Sequence, residues 1–281
     1  MREIAAGLLA KTVTRLFLSA SYSIGEDVEK AVINGISAEE SPLGRATLSQ
    51  IAENYRIAHE DQVAICQDTG MATVFIDIGQ DVHVTGGDLD AAANEGVRKA
   101  YADGYLRKSV VSDPLFDRTN TGGNTPAILH VRIVPGDRLR VLALPKGFGS
   151  ENMSRLKMLT PADGIPGVKR FIVETVAKAG PNPCPPVIVG VGIGGTMEKA
   201  ALMAKEMTAR PIGSQNDDPR YAQLEVELLS AINDTGIGPA GTGGRITALA
   251  VHIAHFPTHI AGLPVAVNLC CHAARHAEEV L

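Results

Sequence analysis

Ala127-Ile-Leu-His-Val-Arg-Ile-Val134, Pro135-Gly-Asp137 and Arg138-Leu-Arg-Val-Leu-Ala-Leu144 follow one another as strand, turn and strand. Both flanking runs alternate in part between apolar and polar residues, and Pro-Gly-Asp is a turn signal, so the stretch is expected to close into a hairpin. An antiparallel pair beside helices, with no run of βα repeats, makes the fold class α+β, with mixed helices and largely antiparallel sheets.

Upstream, residues 1–60 contain three helical stretches, the third running roughly from Pro42 to His59, where Leu43, Ala46, Leu48, Ile51, Ala52 and Tyr55 recur near the helical period. Ala72-Thr-Val-Phe-Ile-Asp-Ile-Gly79 reads as a strand, and Leu89 to Ala102 as a helix opened by Asp88. Downstream come a helix near Gly167 to Ala179, a short apolar strand Val187 to Val191 and a helix from about Thr196. Asp218-Pro219 supplies an N-cap and a first-turn proline for a helix to about Asn233, and strands follow near Ile246 to Ile253 and Pro264 to Leu269. No linker or internal repeat divides the chain, so residues 1–281 are expected to form one domain, with residues 1–60 as its helical N-terminal layer.

The chain has 281 residues, 45% of them hydrophobic, enough for a substantial core. A net charge of -5 argues against a nucleic-acid or acidic-lipid partner and leaves room for a local pocket that takes a small anion. Lys11 and Arg15 interrupt the N-terminal apolar stretch, and no segment approaches the length of a membrane span. A cytoplasmic location is the expectation.

The four cysteines lie in three separated segments: Ile65-Cys66-Gln67-Asp68-Thr69-Gly70, Pro183-Cys184-Pro185-Pro186 and Asn268-Leu269-Cys270-Cys271-His272. Four are too few for a disulfide scaffold, and each stands among turn-forming or polar neighbours rather than in an apolar run. Three separated thiolates suit an iron–sulfur cluster that keeps one iron open as a Lewis acid. Adjacent side chains seldom point into one site, so one of Cys270 and Cys271 is spare. Zinc is the competing metal: His252-x-x-His255-x-x-x-His259 and His272-x-x-x-His276 have helical-face spacing, but Pro257 breaks the first set and residues 246–253 read as strand. A zinc-binding or scaffold protein without catalysis is thus the alternative of a different class. Gly190-Val-Gly192-Ile-Gly194-Gly195 formally matches G-x-G-x-x-G, yet Arg210 to Pro219 offers loop residues where a dinucleotide fold needs a second parallel strand. The glycines are expected to permit close backbone approach beside the Cys184 loop. Lys146-Gly-Phe-Gly-Ser-Glu-Asn reads as a flexible polar loop able to present N–H groups and a lysine to an anion.

Five segments in order, Cys66-Gln-Asp-Thr-Gly, Asn120-Thr-Gly-Gly-Asn-Thr-Pro-Ala, Lys146-Gly-Phe-Gly-Ser-Glu-Asn, Cys184-Pro-Pro-Val-Ile-Val-Gly-Val-Gly-Ile-Gly-Gly-Thr and Pro257-Thr-His-Ile-Ala-Gly-Leu-Pro-Val-Ala-Val-Asn, carry a resemblance to a known family. The chain resembles the α subunit of class I, iron–sulfur-dependent fumarate hydratases and of L-tartrate dehydratases over most of its length. The resemblance implies the fold of the class I fumarase N-terminal domain and a 4Fe-4S cluster held by Cys66, Cys184 and Cys271. Cys271 is preferred to Cys270 because the family's last ligand stands just before a short basic tail, here His272-Ala-Ala-Arg-His. By the same carry-over Gln67, Asp68, Arg107 and the Gly149 backbone contact a dicarboxylate, and His259 reaches a catalytic centre, in relatives that of a neighbouring protomer. Asp68 is the preferred proton-transfer residue, since a carboxyl adjoining the cluster can protonate the departing hydroxyl. The remaining substrate-binding groups of the family belong to a second region that this chain lacks. A separate β subunit, an α–α dimer contact and an α2β2 heterotetramer are therefore implied. The Asn-Thr-x-x-Asn-Thr-Pro-Ala and Gly-Ser-Glu-Asn segments look more like fumarate hydratase than tartrate dehydratase. Phe148 departs from the glycine that many relatives carry, which would narrow that part of the site.

Overall fold

The computed structural model describes residues 1–281. In chain order the elements are β1 (Arg2–Ala5), α1 (Ala6–Tyr22), α2 (Glu26–Ala38), α3 (Pro42–Asp61), β2 (Met71–Gly79), β3 (Val82–Thr85), α4 (Leu89–Asp103), β4 (Ile128–Val134) and β5 (Leu139–Lys146). There follow α5 (Phe148–Glu151), β6 (Arg155–Leu159), α6 (Gly164–Ala179), β7 (Val187–Gly194), α7 (Met197–Met207), α8 (Pro219–Asn233), β8 (Ala248–Phe256), β9 (Leu263–Cys270) and β10 (Ala277–Val280). The class is α+β, as expected, but the sheets are mixed rather than largely antiparallel, with parallel pairs β1–β3, β2–β4 and β7–β8. No helix is long and apolar enough to cross a membrane. The chain forms two compact units that interleave in sequence: residues 1–24, 55–148 and 275–281, and residues 25–54 and 149–274.

In the first unit the sheet runs β10-β5-β2-β4. The expected β4–β5 hairpin does not form, because β2 lies between those strands, parallel to β4 and antiparallel to β5. Burial explains the order. Ala72 to Ile76 are all buried, as a strand covered on both faces requires, whereas Ile128, Val131 and Ile133 of β4 are exposed, as an edge strand allows. The 134–138 loop opens to admit the end of β2: Gly79, Gln80 and Asp81 donate their N–H groups to the carbonyls of Arg138, Val134 and Gly136. Gly79 tolerates no side chain there, since a Cβ would stand 2.4 Å from Gly136 O. Leu9, Val13, Leu16 and Phe17 recur along one face of α1 and join Val97, Ala100 and Tyr101 of α4 in one core with β2 and β5. Asp88 caps α4 as read, accepting from Ala91 N at 2.8 Å.

In the second unit the sheet runs β6-β9-β7-β8. Alternate residues Val187, Val189 and Val191 pack with Phe171, Ile172 and Val176 of α6 and Leu228 and Ile232 of α8. The intervening Gly190 and Gly192 meet α7, where a Cβ would come within 2.1 Å of Ala204 O and Ala200 O. The glycine run thus lets α7 lie directly on β7, and its close approach is to that helix rather than to the Cys184 loop. His252 of β8 follows the same parity and is 2% exposed, with Nδ1 bonded to Met207 O at 3.1 Å. Burial first, then the nearby Arg210 guanidinium, push its pKa down to about 4. Unfolded chains protonate this imidazole below its ordinary value and the folded chain does not, so stability should fall by about 1.4 kcal/mol per pH unit between pH 6.5 and 4 and flatten below. Chemical denaturation across that range should show the slope, and His252→Asn should remove most of it.

Candidate functional site

Cys66, Gln67, Asp68 and Arg107 belong to the first unit, and Gly149, Cys184, His259 and Cys271 to the second. Cys66 to Gly70 are the second half of the connection between α3 and β2. Thr69 and Gly70 are buried, Cys66 and Asp68 half-buried and Gln67 exposed, so the loop is pinned at one end and open at the other. The Tyr101 hydroxyl donates to Thr69 O at 2.7 Å and lies 3.1 Å from Gly70 O. Burial, together with the Asp68 charge, raises the pKa of that phenol and keeps it a donor. Asn124, fully buried with φ +57, donates to Gly70 O and accepts from Ser109 N and Val110 N. Thr69 Oγ1 donates to Arg107 O at 2.9 Å. The Asn120–Ala127 motif therefore ties the Cys66 loop to the segment that carries Arg107, whose own side chain is exposed.

Asp68 is fixed at both oxygens. Oδ1 accepts from Gly70 N at 3.0 Å and Oδ2 from Phe148 N at 2.7 Å. Gly70, at φ +79, brings the loop so near β5 that a Cβ would stand 2.7 Å from the carbonyl carbon of Lys146. Lys146 itself is 2% exposed and ends β5, with Nζ bonded to Gly147 O at 3.2 Å. The flexible loop expected after that strand is instead a buried lysine followed by the short helical turn α5, and Gly149 lies exposed within it. The Phe148 ring is half exposed, and what Phe148 adds to the first unit is its backbone donor.

In the second unit Cys184 is exposed and held in the left-handed region at φ +53, with its N–H donated to Pro181 O. A non-glycine residue stays there only when its surroundings determine it. Those surroundings trace back to Glu39, which is 1% exposed and receives the N–H groups of Ser41, Arg245 and Ile246. Burial works against ionisation, but these donors outweigh it and hold the carboxyl below its usual range. The 238–246 loop fixed in this way donates Ala240 N to Pro185 O at 2.7 Å, and a Cβ on Gly241 would strike Pro181 at 2.3 Å. On the other side of the loop His272 N donates to Cys184 O at 3.4 Å, which joins the segments of Cys184 and Cys271. Cys270 is 4% exposed and ends β9 opposite Ile188, whereas Cys271 is half-buried just beyond the strand. None of the four cysteines is in a disulfide. Neither unit by itself gathers three or more His, Cys, Asp or Glu side chains as a metal-holding group. The imidazoles weighed for zinc do not share a helical face: His252 packs under α7, His255 stacks on Tyr221, and His259 occupies the exposed turn after β8.

A family model described as "Fumarate hydratase (Fumerase)" matches residues 10–280, through both units. The chain belongs to the fumarate hydratase family. Within it the chain is similar to a Methanocaldococcus jannaschii protein named "Putative L(+)-tartrate dehydratase subunit alpha", at 44% identity over 96% of each chain. It is also similar to the Escherichia coli K12 protein named "L(+)-tartrate dehydratase subunit alpha", at 31% identity over 98% of this chain and 91% of that one. The chain thus corresponds, almost end to end, to the α-subunit chains of this fumarate hydratase family of hydro-lyases. The sequence points to the thiols and Asp68 as candidates but not to Glu39, Tyr101 or the anchoring part played by Asn124. Nothing local marks them, because each acts by reaching a loop distant in the chain.

Proposed function

We propose that this chain is the α subunit of a hydro-lyase that interconverts fumarate and L-malate, completed by a β subunit. The observation that carries the reading is Asp68, next but one to Cys66, with both carboxylate oxygens held by backbone N–H groups. Cys66, Cys184 and Cys271 are the residues that would hold a 4Fe-4S cluster. They are outside any disulfide and outside the core, on loops whose backbones are tied down from several sides, which suits thiolate ligation. When bound, that group supplies an open iron as a Lewis acid toward the substrate hydroxyl. The chain's own residues do the rest. The exposed Arg107 guanidinium and Gln67 amide bind a substrate carboxylate, with Gly149 offering its backbone N–H. Asp68 hands a proton to the departing hydroxyl, which leaves as water, and in hydration takes it back. His259, on an exposed turn with Gly262 N bonded to its carbonyl, is suited to serve a neighbouring protomer through an α–α contact. The β subunit supplies the remaining carboxylate contacts and the base for the carbon acid, in a cytoplasmic α2β2 assembly.

The names of the two relatives favour a second reading, dehydration of L-tartrate by the same chemistry. Co-expression with the β subunit, anaerobic reconstitution and parallel assay of fumarate and L-tartrate distinguishes the two. The expected result is a brown protein containing iron, with turnover of fumarate well above that of tartrate. A colourless product with intact thiols would sink the cluster, stoichiometric zinc would replace it, and preferential turnover of tartrate would move the substrate to the second reading.

A further inference from the structure

Arg275 is the largest fully buried side chain, 1% exposed, and its Nε and Nη1 are buried without a hydrogen-bond partner. A guanidinium is always charged, and a buried one left unpaired is strongly disfavoured unless an acceptor arrives from outside the chain. Its position says where. Arg275 Nη2 lies 3.4 Å from the point at which a Gly147 Cβ would stand, and Asp68 Oδ2 lies 3.4 Å from that same point. The missing side chain of Gly147 thus leaves a cation and the fixed carboxylate beside the same stretch of backbone. The buried Tyr101 hydroxyl that holds the Cys66 loop senses both groups, with opposite sign. We propose that Arg275 is an anion-binding residue of the Asp68 site, its unpaired N–H groups receiving an acceptor that comes with the ligand. That acceptor is either a substrate carboxylate or the thiolate and sulfide of the cluster. The inference rests on the hydro-lyase reading above and adds to it a residue outside the set carried over from the family.

The test compares thermal unfolding of the full chain with that of Arg275→Met and Arg275→Lys in three states: metal-free, metal-free with millimolar succinate, and anaerobically reconstituted with iron and sulfide. Without ligand, Arg275→Met should be at least as stable as the native chain, because it no longer buries an uncompensated charge. Ligand should then raise the native midpoint by about 5 °C more than that of Arg275→Met, with Arg275→Lys between them. A difference confined to succinate identifies the carboxylate as the acceptor, and one confined to reconstitution identifies the cluster. Equal ligand shifts in native chain and variant, or an Arg275→Met chain less stable than native without ligand, would overturn the assignment. A native chain that responds to neither ligand contradicts the hydro-lyase reading itself and removes this inference with it.

Discussion

Asp68→Asn should lower kcat by about 10²- to 10⁴-fold while leaving bound iron and the fold in place. The amide keeps the shape of the side chain and one acceptor oxygen, so the contact from Gly70 N or that from Phe148 N survives. The other is lost, at a cost of about 1 kcal/mol, far less than is needed to unfold the unit. What the variant cannot do is deliver the proton that turns a departing hydroxyl into water. The measurement is anaerobic turnover of fumarate by the reconstituted heteromer, with iron content and thermal midpoint recorded beside it. A kcat within threefold of native at equal iron content would remove Asp68 from proton transfer and leave it as a loop anchor.

Glu225→Ala should destabilise the chain by roughly 3–5 kcal/mol, a fall in melting temperature of about 6–15 °C. Glu225 is 7% exposed and pairs with Arg210 through two bonds of 2.8 and 2.7 Å. It also accepts Ile253 N at 2.7 Å and Asn216 Nδ2 at 3.0 Å. Burial opposes its charge, yet these partners hold its pKa below the usual carboxylate range. Truncation leaves Arg210, which is largely buried in the pair, without a counter-charge, and it leaves a strand N–H without an acceptor. Glu225→Gln, which retains the N–H contact, should lose less. A melting temperature within 2 °C of native for the alanine variant would show that the pair contributes nothing net. This carboxylate lies outside the Asp68 and cysteine loops, so any activity lost should track the unfolded fraction rather than the reaction.

The elements that could be read from the sequence carry their signals inside themselves. Asp88 and Asp218-Pro219 open helices by bonding N–H groups two or three residues on, and both helices begin where those residues stand. The β4–β5 hairpin does not follow from its turn signal, because such a signal records only that the chain reverses. It is silent on whether a third strand has entered the mouth of the turn, as the end of β2 does. The Gly190 run was ambiguous for a similar reason: glycines that clear a phosphate and glycines that clear a helix look alike until the helix is in place.

For the candidate site, the motifs placed Cys66, Cys184, Cys271 and Asp68 on loops, and loops are where the structure has them. That much is written in the sequence, because turn formers, prolines and caps act over a few residues and because a family resemblance is itself a property of sequence. Only the tertiary structure decided that β2 takes the centre of its sheet, that Cys270 is buried where Cys271 is not, and that Glu39, Glu225 and Arg275 lose contact with water. Burial of a charge depends on side chains far along the chain, and the same residue letter serves equally well on a solvated surface.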